Sequence, residues 1–111
     1  MKRVLAHIGV LQYLRTLSSR DQKQLVANAP RQLLFTLSEI ALNIIARNIS
    51  LSTAQISKLR KHEKQIVNLS QKKISLVKRK QILKGGSFLK NFLDTTLPSL
   101  ILTLTKKSKK N

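Results

Sequence analysis

The sequence has no cysteine and no tryptophan, and its 111 residues include three glycines, two prolines and four acidic side chains. Without cysteine no disulfide can form, and two lone histidines, His7 and His62, with so few carboxylates offer no structural zinc site. No stretch reaches the roughly 18–20 apolar residues of a membrane-spanning helix, because Lys90, Asp94 and Pro98 interrupt the one candidate. No catalytic constellation or phosphate-binding loop is recognisable, so we expect no enzymatic activity, no cofactor and no metal.

The amino terminus, MKRVLAHIGVLQYL, begins with basic residues and continues with apolar ones, as a secretory signal does. His7, Gln12, Tyr13 and Arg15 interrupt the apolar run, so an amphipathic first helix is the better interpretation. We therefore expect an intracellular protein that is not secreted.

Acidic side chains are scarce beside 22 lysines and arginines, which gives a formal charge of +18. Such a chain repels itself unless a polyanion neutralises it, and its hydrophobic fraction of 41% is too high for a wholly disordered basic tail. The charge is concentrated in residues 51–86, where ten basic side chains face one acid, Glu63. Nucleic acid is the first candidate partner, and an anionic membrane surface is the second.

Apolar residues recur at helical spacing along most of the chain, and no long alternating strand pattern is present. We predict an all-α fold, a small bundle of four to five helices, with RQLLFTLSEIALNIIARN at its centre. Two S-x-x-Q signatures, beginning at Ser19 and Ser52, predict capping boxes, and Ser75 predicts a further cap. The expected helices run from the amino terminus to about Ser18, from Arg20 to Asn28, after Pro30 to about Asn48, from Thr53 to Leu69, and from Leu76 to Lys84.

The carboxy-terminal segment differs in character from what precedes it. Its apolar residues fall on one side of a helix, Pro98 is expected to end or kink that helix, and Lys106, Lys107, Lys109 and Lys110 form a basic tail. We divide the chain into a basic helical domain (1–84), a Gly-Gly hinge or cleavage site (85–86), and an amphipathic segment (87–111), flexible or separately docking. That segment can lie in a membrane interface or complete the bundle core. The apolar residues concerned are Phe88, Leu89, Phe92, Leu93 and Leu97.

The basic residues between 58 and 84 are the predicted nucleic-acid contacts. Aromatic residues that could stack on bases are few, so we expect phosphate contacts without sequence specificity. The stretch LSTAQISKLRKHEKQIVNL also has the spacing of a helix-turn-helix recognition helix, which leaves a sequence-specific regulator as an alternative. The predicted contacts are Lys58, Arg60, Lys61, Lys64, Lys72, Lys73, Lys78, Arg79, Lys80 and Lys84.

The chain's one Gly-Gly pair lies where the basic stretch ends. Gly85 and Gly86 are expected to stop a helix and form a hinge. A second interpretation is a protease site, because Leu83, Gly85, Gly86 and Ser87 fit the pattern that adenovirus-type cysteine proteases cut. Two residues without Cβ let an extended backbone enter a narrow cleft, and the leucine fills the pocket before them.

Three stretches together resemble small basic proteins of Maverick or Polinton elements and of their viral relatives, the adintoviruses. They are LLFTLSEIALNIIARNISLS, KLRKHEKQIVNLSQKKISLVKRKQIL and KGGSFLKNFL, which with the leucine-rich residues that follow cover about residues 30–104. Such proteins look like adenovirus core or minor virion proteins, made as precursors, cut after Gly-Gly by a viral-type cysteine protease, and packaged with DNA. Adenovirus core peptides are more arginine-rich and less folded than this chain.

The resemblance implies a virion protein that passes through the host nucleus, with cleavage between Gly86 and Ser87. It also implies that the segment after Gly86 docks on a capsid protein or disrupts a membrane, which is the second function hypothesis. Neither composition nor spacing distinguishes a DNA partner from an RNA partner, and both leave open whether the chain forms a homo-oligomer.

Overall fold

Helices account for about three quarters of the described backbone, which contains no strand, and this confirms the all-α prediction. The computed structural model describes the backbone of residues 2–109 and the side chains of residues 2–104. The basic tail predicted at residues 106–110 lies outside the described side chains. The helices are α1 (Lys2–Ala6), α2 (Ile8–Thr16), α3 (Ser19–Ala27), α4 (Arg31–Ile45), α5 (Thr53–Arg60), α6 (Glu63–Leu69), α7 (Leu76–Leu83) and α8 (Phe88–Lys109).

Helix α4 lies at the centre of one half of the bundle, as its apolar sequence predicts. It packs against α1, α6 and α7. Burying one large aliphatic side chain of this kind stabilises a fold by about 1.5–3 kcal/mol. Its buried apolar residues are Leu33, Leu34, Leu37, Ile40 and Ala41.

Helix α8 supplies the other half of the same core. It packs against α2, α3, α5 and α7, and the rings of Phe88 and Phe92 lie 5.2 Å apart between centroids. The Cα radius of gyration is 13.2 Å, about what a single compact domain of this length should have. The structure therefore differs from the predicted division into a helical domain and a separately docking segment.

Pro98 lies inside α8, which continues through it to Lys109. The expected end of the helix at this proline is wrong. A helical proline lacks the N–H that would bond the carbonyl four residues earlier, here that of Asp94. Both Pro98 and Asp94 are exposed, so water can take the place of the missing donor.

Two stretches predicted as single helices are each broken at a histidine. His7 separates α1 from α2, and His62 separates α5 from α6, with nearly equal backbone angles of φ −107°, ψ 11° and φ −108°, ψ 15°. These angles lie in the sparsely populated bridge region, outside the helical one. Apolar spacing alone did not reveal the breaks, because each pair of short helices keeps one continuous buried side.

Serine side chains cap three of the described helices, and one predicted cap is displaced by a residue. Ser52 and Gln55 form the capping box, with the Ser52 N–H donating to the Gln55 side-chain oxygen at 2.7 Å. Ser75 accepts from the Lys78 N–H. Before α3 the cap is Ser18 rather than Ser19, because Gln22 is buried and donates to the Leu14 carbonyl at 2.9 Å. Arg31 begins α4 directly after Pro30, which occupies its N-cap position.

Each serine cap satisfies one backbone N–H of a first turn and stabilises its helix by about 1 kcal/mol. The short helices α3, α5 and α7 therefore receive local support in addition to core packing.

Gly86 ends the turn between α7 and α8 with a φ of +56°, a left-handed conformation. A Cβ at this position would meet nothing within 4 Å, so the conformation alone requires glycine there. The predicted helix stop at Gly85-Gly86 is confirmed by the end of α7 at Leu83.

We expect Gly86→Ala to lower the free energy of unfolding by about 1–2 kcal/mol, the penalty of left-handed backbone for an L-residue. Gly9→Ala is the matched control, because Gly9 lies within α2 and its Cβ would also meet no neighbour. That control should raise the free energy of unfolding by about 0.5–1 kcal/mol. Urea denaturation followed by circular dichroism measures both, and equal effects of the two changes would contradict the conformational argument.

Candidate nucleic-acid interface

Eight of the ten predicted phosphate-binding side chains are exposed. They lie on α5, α6 and α7 and on the turns that connect them. The eight are Lys58, Arg60, Lys61, Lys64, Lys72, Lys73, Lys78 and Lys84.

Helices α6 and α7 form a hairpin that places basic residues at both of its ends. A Cβ built on Gly85 would lie 3.3 Å from Nε2 of Gln65, so the end of α7 lies beside the start of α6. Lys64 and Lys84 therefore belong to one end of the hairpin, and Lys72 and Lys73 belong to the turn at the other end. The seven residues of α6 span about 10 Å, so the positive charge is spread over more than one phosphate.

This charge is almost unopposed. Within residues 2–104 the structure shows one ion pair, between Nε of Arg15 and Oδ1 of Asp94 at 3.2 Å, and it lies outside the predicted set. Glu63 is the single acidic residue of α5 and α6. A ligand with several negative charges would thus meet lysines without having to displace carboxylate partners.

Lys80 is half-buried and differs from the exposed eight. Its Nζ donates to the carbonyl of Ala27 at 2.9 Å, at the carboxy-terminal end of α3. A positive charge there is favourable because the last carbonyls of a helix carry partial negative charge. Lys80 therefore holds α7 against α3, and a phosphate would have to compete with that contact.

Arg79 is not a phosphate contact, and its prediction as one is wrong. The side chain is 3% exposed and reaches inward from α7. Nη1 donates to Oγ of Ser38 and to the Leu69 carbonyl, and Nη2 donates to the carbonyls of Gln71 and Lys72, each at 3.2 Å. Arg79 therefore caps the end of α6 and the turn after it.

The surroundings of Arg79 suit a buried guanidinium. Its Cζ lies 5.2 Å from the centroid of the Phe35 ring, and Cζ of Arg3 lies 5.5 Å from the same centroid. Burial lowers the pKa of Arg79 from its ordinary value because the charged form loses its hydration. The hydrogen bonds to carbonyl groups compensate part of that loss.

His62 is a buried polar residue that the sequence did not reveal. Its side chain is buried, and its ring lies 5.4 Å from the ring of Phe88 between centroids. Nδ1 lies 2.9 Å from Oε1 of Gln65, and Nε2 accepts from Nδ2 of Asn91 at 3.1 Å. His62 thereby joins α6 to α8 and helps to fix the surface that carries the basic residues.

The apolar residues predicted to contact a membrane or a capsid lie in the protein core instead. Their side chains belong to the same buried cluster as Leu11, Leu14 and Leu37. A helix with one apolar side satisfies a core as well as a membrane interface, and in this fold α8 completes the core. The residues corrected are Phe88, Leu89, Phe92, Leu93 and Leu97.

The Gly-Gly protease pattern is folded into the turn between α7 and α8. Leu83 is 0% exposed, whereas Gly86 and Ser87 are exposed. The amide of Gly85 donates to the Ile82 carbonyl at 3.2 Å. Entry of this stretch into a protease cleft as extended backbone would therefore require Leu83 to leave the core.

Among the residues whose positions are described, no three His, Cys, Asp or Glu side chains come together as metal ligands would. No helix within that part of the chain is both long and apolar enough to cross a membrane. Comparison with known proteins gave no match to a family model, to a curated protein or to a solved structure.

Proposed function

We propose that this chain is a non-enzymatic DNA-binding protein that contacts backbone phosphates and does not read base sequence. The observation that carries the proposal is the set of eight exposed lysine and arginine side chains on α5 to α7, facing almost no acidic partner. Phosphate contacts need positive charge and little directional geometry, which long flexible lysines supply.

Base reading has less support than phosphate binding. The stretch with recognition-helix spacing is two short helices, α5 and α6, and the break between them falls at His62. Phe88 and Phe92 are buried in the core, which leaves Tyr13 as the most exposed aromatic ring for stacking on a base. Neither a helix-turn-helix regulator nor a single-strand reader is favoured by a specific feature.

The setting of the proposed activity is the core of a virus-like particle, and the resemblance to proteins of Maverick elements and adintoviruses supports it. Proteolytic processing after Gly86 belongs to the same proposal. Because Leu83 is buried, such processing would act on a chain whose α7–α8 turn has opened. Docking of residues 87–111 on a capsid or membrane would likewise require α8 to leave the core.

Salt dependence of DNA binding tests the proposal. If all eight exposed cations contact phosphates, the logarithm of the association constant should fall with the logarithm of salt concentration at a slope of about −7. Fluorescence anisotropy with two duplexes of unrelated sequence and equal length measures the slope. The two duplexes should bind with affinities within about threefold of each other, whereas a slope shallower than about −2 would contradict the proposal.

Charge-removal variants locate the surface within the same experiment. Lys61→Gln combined with Lys64→Gln should make the slope less steep by about 2 units. Arg20→Gln combined with Arg31→Gln removes the same charge from exposed positions on α3 and α4. If the second pair changes the slope as much as the first, the binding surface is not on α5 to α7.

A further inference from the structure

An apolar groove lies beside the basic surface, between the end of α4 and helices α5 and α6. Its volume is about 330 Å³, and most of the residues that line it are aliphatic. Leu59 and Ile66 are buried in the floor, but Ile56 and Val67 are 46% and 40% exposed. The groove is therefore an apolar face that no side chain among residues 2–104 covers.

The groove has the form that receives an amphipathic helix. Its walls come from three helices, and its apolar lining suits a partner helix that presents apolar residues at i, i+3, i+4 and i+7. Two charged residues, Arg60 and Glu63, form part of its lining. Lys64 lies three residues before Val67 on α6, so these two side chains share a helix face.

The charge around the groove indicates the chemistry of its occupant. Arg60 and Glu63 in the lining offset each other, whereas Lys64 on the helix face of Val67 adds a positive charge, and the whole chain carries +18. We propose that the groove binds an amphipathic helix of a partner protein whose apolar stripe is flanked by Asp and Glu. The apolar stripe would cover Ile56 and Val67, and the acidic flanks would lie beside Arg60 and Lys64.

A second copy of the chain fits the groove less well. Two molecules of +18 repel each other, and each has four acidic residues to offset 22 basic ones. An acidic helix removes that repulsion instead of adding to it. The charged edge of the groove shares Arg60 and Lys64 with the proposed DNA-binding surface, but its apolar lining is not part of that surface, and the groove can be tested with no nucleic acid present.

The test uses a synthetic helical peptide of about five turns, with leucines on one side and glutamates on both flanks, labelled for fluorescence anisotropy. A scrambled peptide of identical composition measures binding by charge alone. We expect the amphipathic peptide to bind at least tenfold more tightly than the scrambled one. Equal binding of the two peptides would overturn the proposal, because general attraction between opposite charges would then explain the whole effect.

Two matched variants localise the contact. Val67→Glu places a carboxylate in the groove and should weaken binding of the amphipathic peptide by at least tenfold. Val77→Glu makes the same change at an exposed valine on α7, away from the groove, and should leave the affinity within about twofold. Ile56→Gln, which adds no charge, should weaken binding several-fold.

Equal loss in the two glutamate variants would overturn the proposal. Sedimentation equilibrium of the protein without peptide tests the other candidate occupant of the groove, a second copy of the chain. A dimer that forms at micromolar concentration and is lost in Ile56→Gln would also overturn it, because the groove would then belong to a second copy.

Discussion

Replacing Phe92 with alanine is expected to lower the free energy of unfolding by about 3–5 kcal/mol. Phe92 is fully buried and packs against the Phe88 ring, so truncation removes apolar contacts and leaves a cavity that the backbone of α8 cannot fill. Single domains have a free energy of unfolding of about 5–15 kcal/mol, so the change removes a large part of the total. Urea denaturation monitored by circular dichroism measures the difference.

Leu102→Ala is the matched control on the same helix. Leu102 is 58% exposed, so its truncation should change the free energy of unfolding by no more than about 0.5 kcal/mol. If Phe92→Ala had as small an effect as Leu102→Ala, α8 would not be part of the core, and the division of the chain after Gly86 would be supported instead.

The burial of Phe92 also changes how experiments on the carboxy-terminal segment should be understood. A polar substitution at Phe88 or Phe92 would unfold much of the bundle before it could report on a membrane or capsid contact. Loss of membrane activity in such a variant would therefore not show that these rings touch lipid. A useful variant for that purpose must alter the exposed side of α8, where Leu102 lies.

The sequence predicts the helices well because their signals are local. Apolar spacing depends on residues a few positions apart, and a serine cap depends on its own side chain and one backbone amide. For these reasons α4, the capping box at Ser52 and the helix stop before Gly86 were all predictable. The breaks at His7 and His62 were not, because each pair of short helices keeps one continuous buried side, and the contacts of the two histidines with Thr36 and Asn91 join residues 29 positions apart.

The function of each basic residue was much less predictable than its position. Lys78 and Arg79 are neighbours with the same charge, and both were predicted as phosphate contacts. Helical geometry turns successive side chains by about 100°, so Arg79 faces inward while Lys78 faces solvent. Which direction is inward depends on where α4 and α6 lie, and a single sequence does not state that.

Arg79→Met should lower the free energy of unfolding by about 2–4 kcal/mol. The methionine can fill part of the space, but it leaves the carbonyls of Leu69, Gln71 and Lys72 without the donors that Arg79 supplies. An unsatisfied buried acceptor costs about 1–3 kcal/mol, and Gln71 and Lys72 are exposed enough for water to reduce their share. Arg79→Lys should recover little, because one ammonium group cannot reproduce the planar fork of a guanidinium.

Lys78→Gln, at the neighbouring position, is the control. Together the two variants should distinguish an effect on stability from an effect on DNA binding. Lys78 is exposed, so its substitution should leave the free energy of unfolding within about 0.5 kcal/mol of the original value and make the salt slope of DNA binding less steep by about 1. Arg79→Met, studied at a temperature where it is folded, should keep the slope of the unaltered protein.

A less steep slope with unchanged stability in Arg79→Met would mean that the guanidinium contacts phosphate after all and that its carbonyl contacts are dispensable. The opposite pattern, lower stability with an unchanged slope, would show that Arg79 stabilises the fold without contacting phosphate, through its bonds to the turn that carries Lys72 and Lys73.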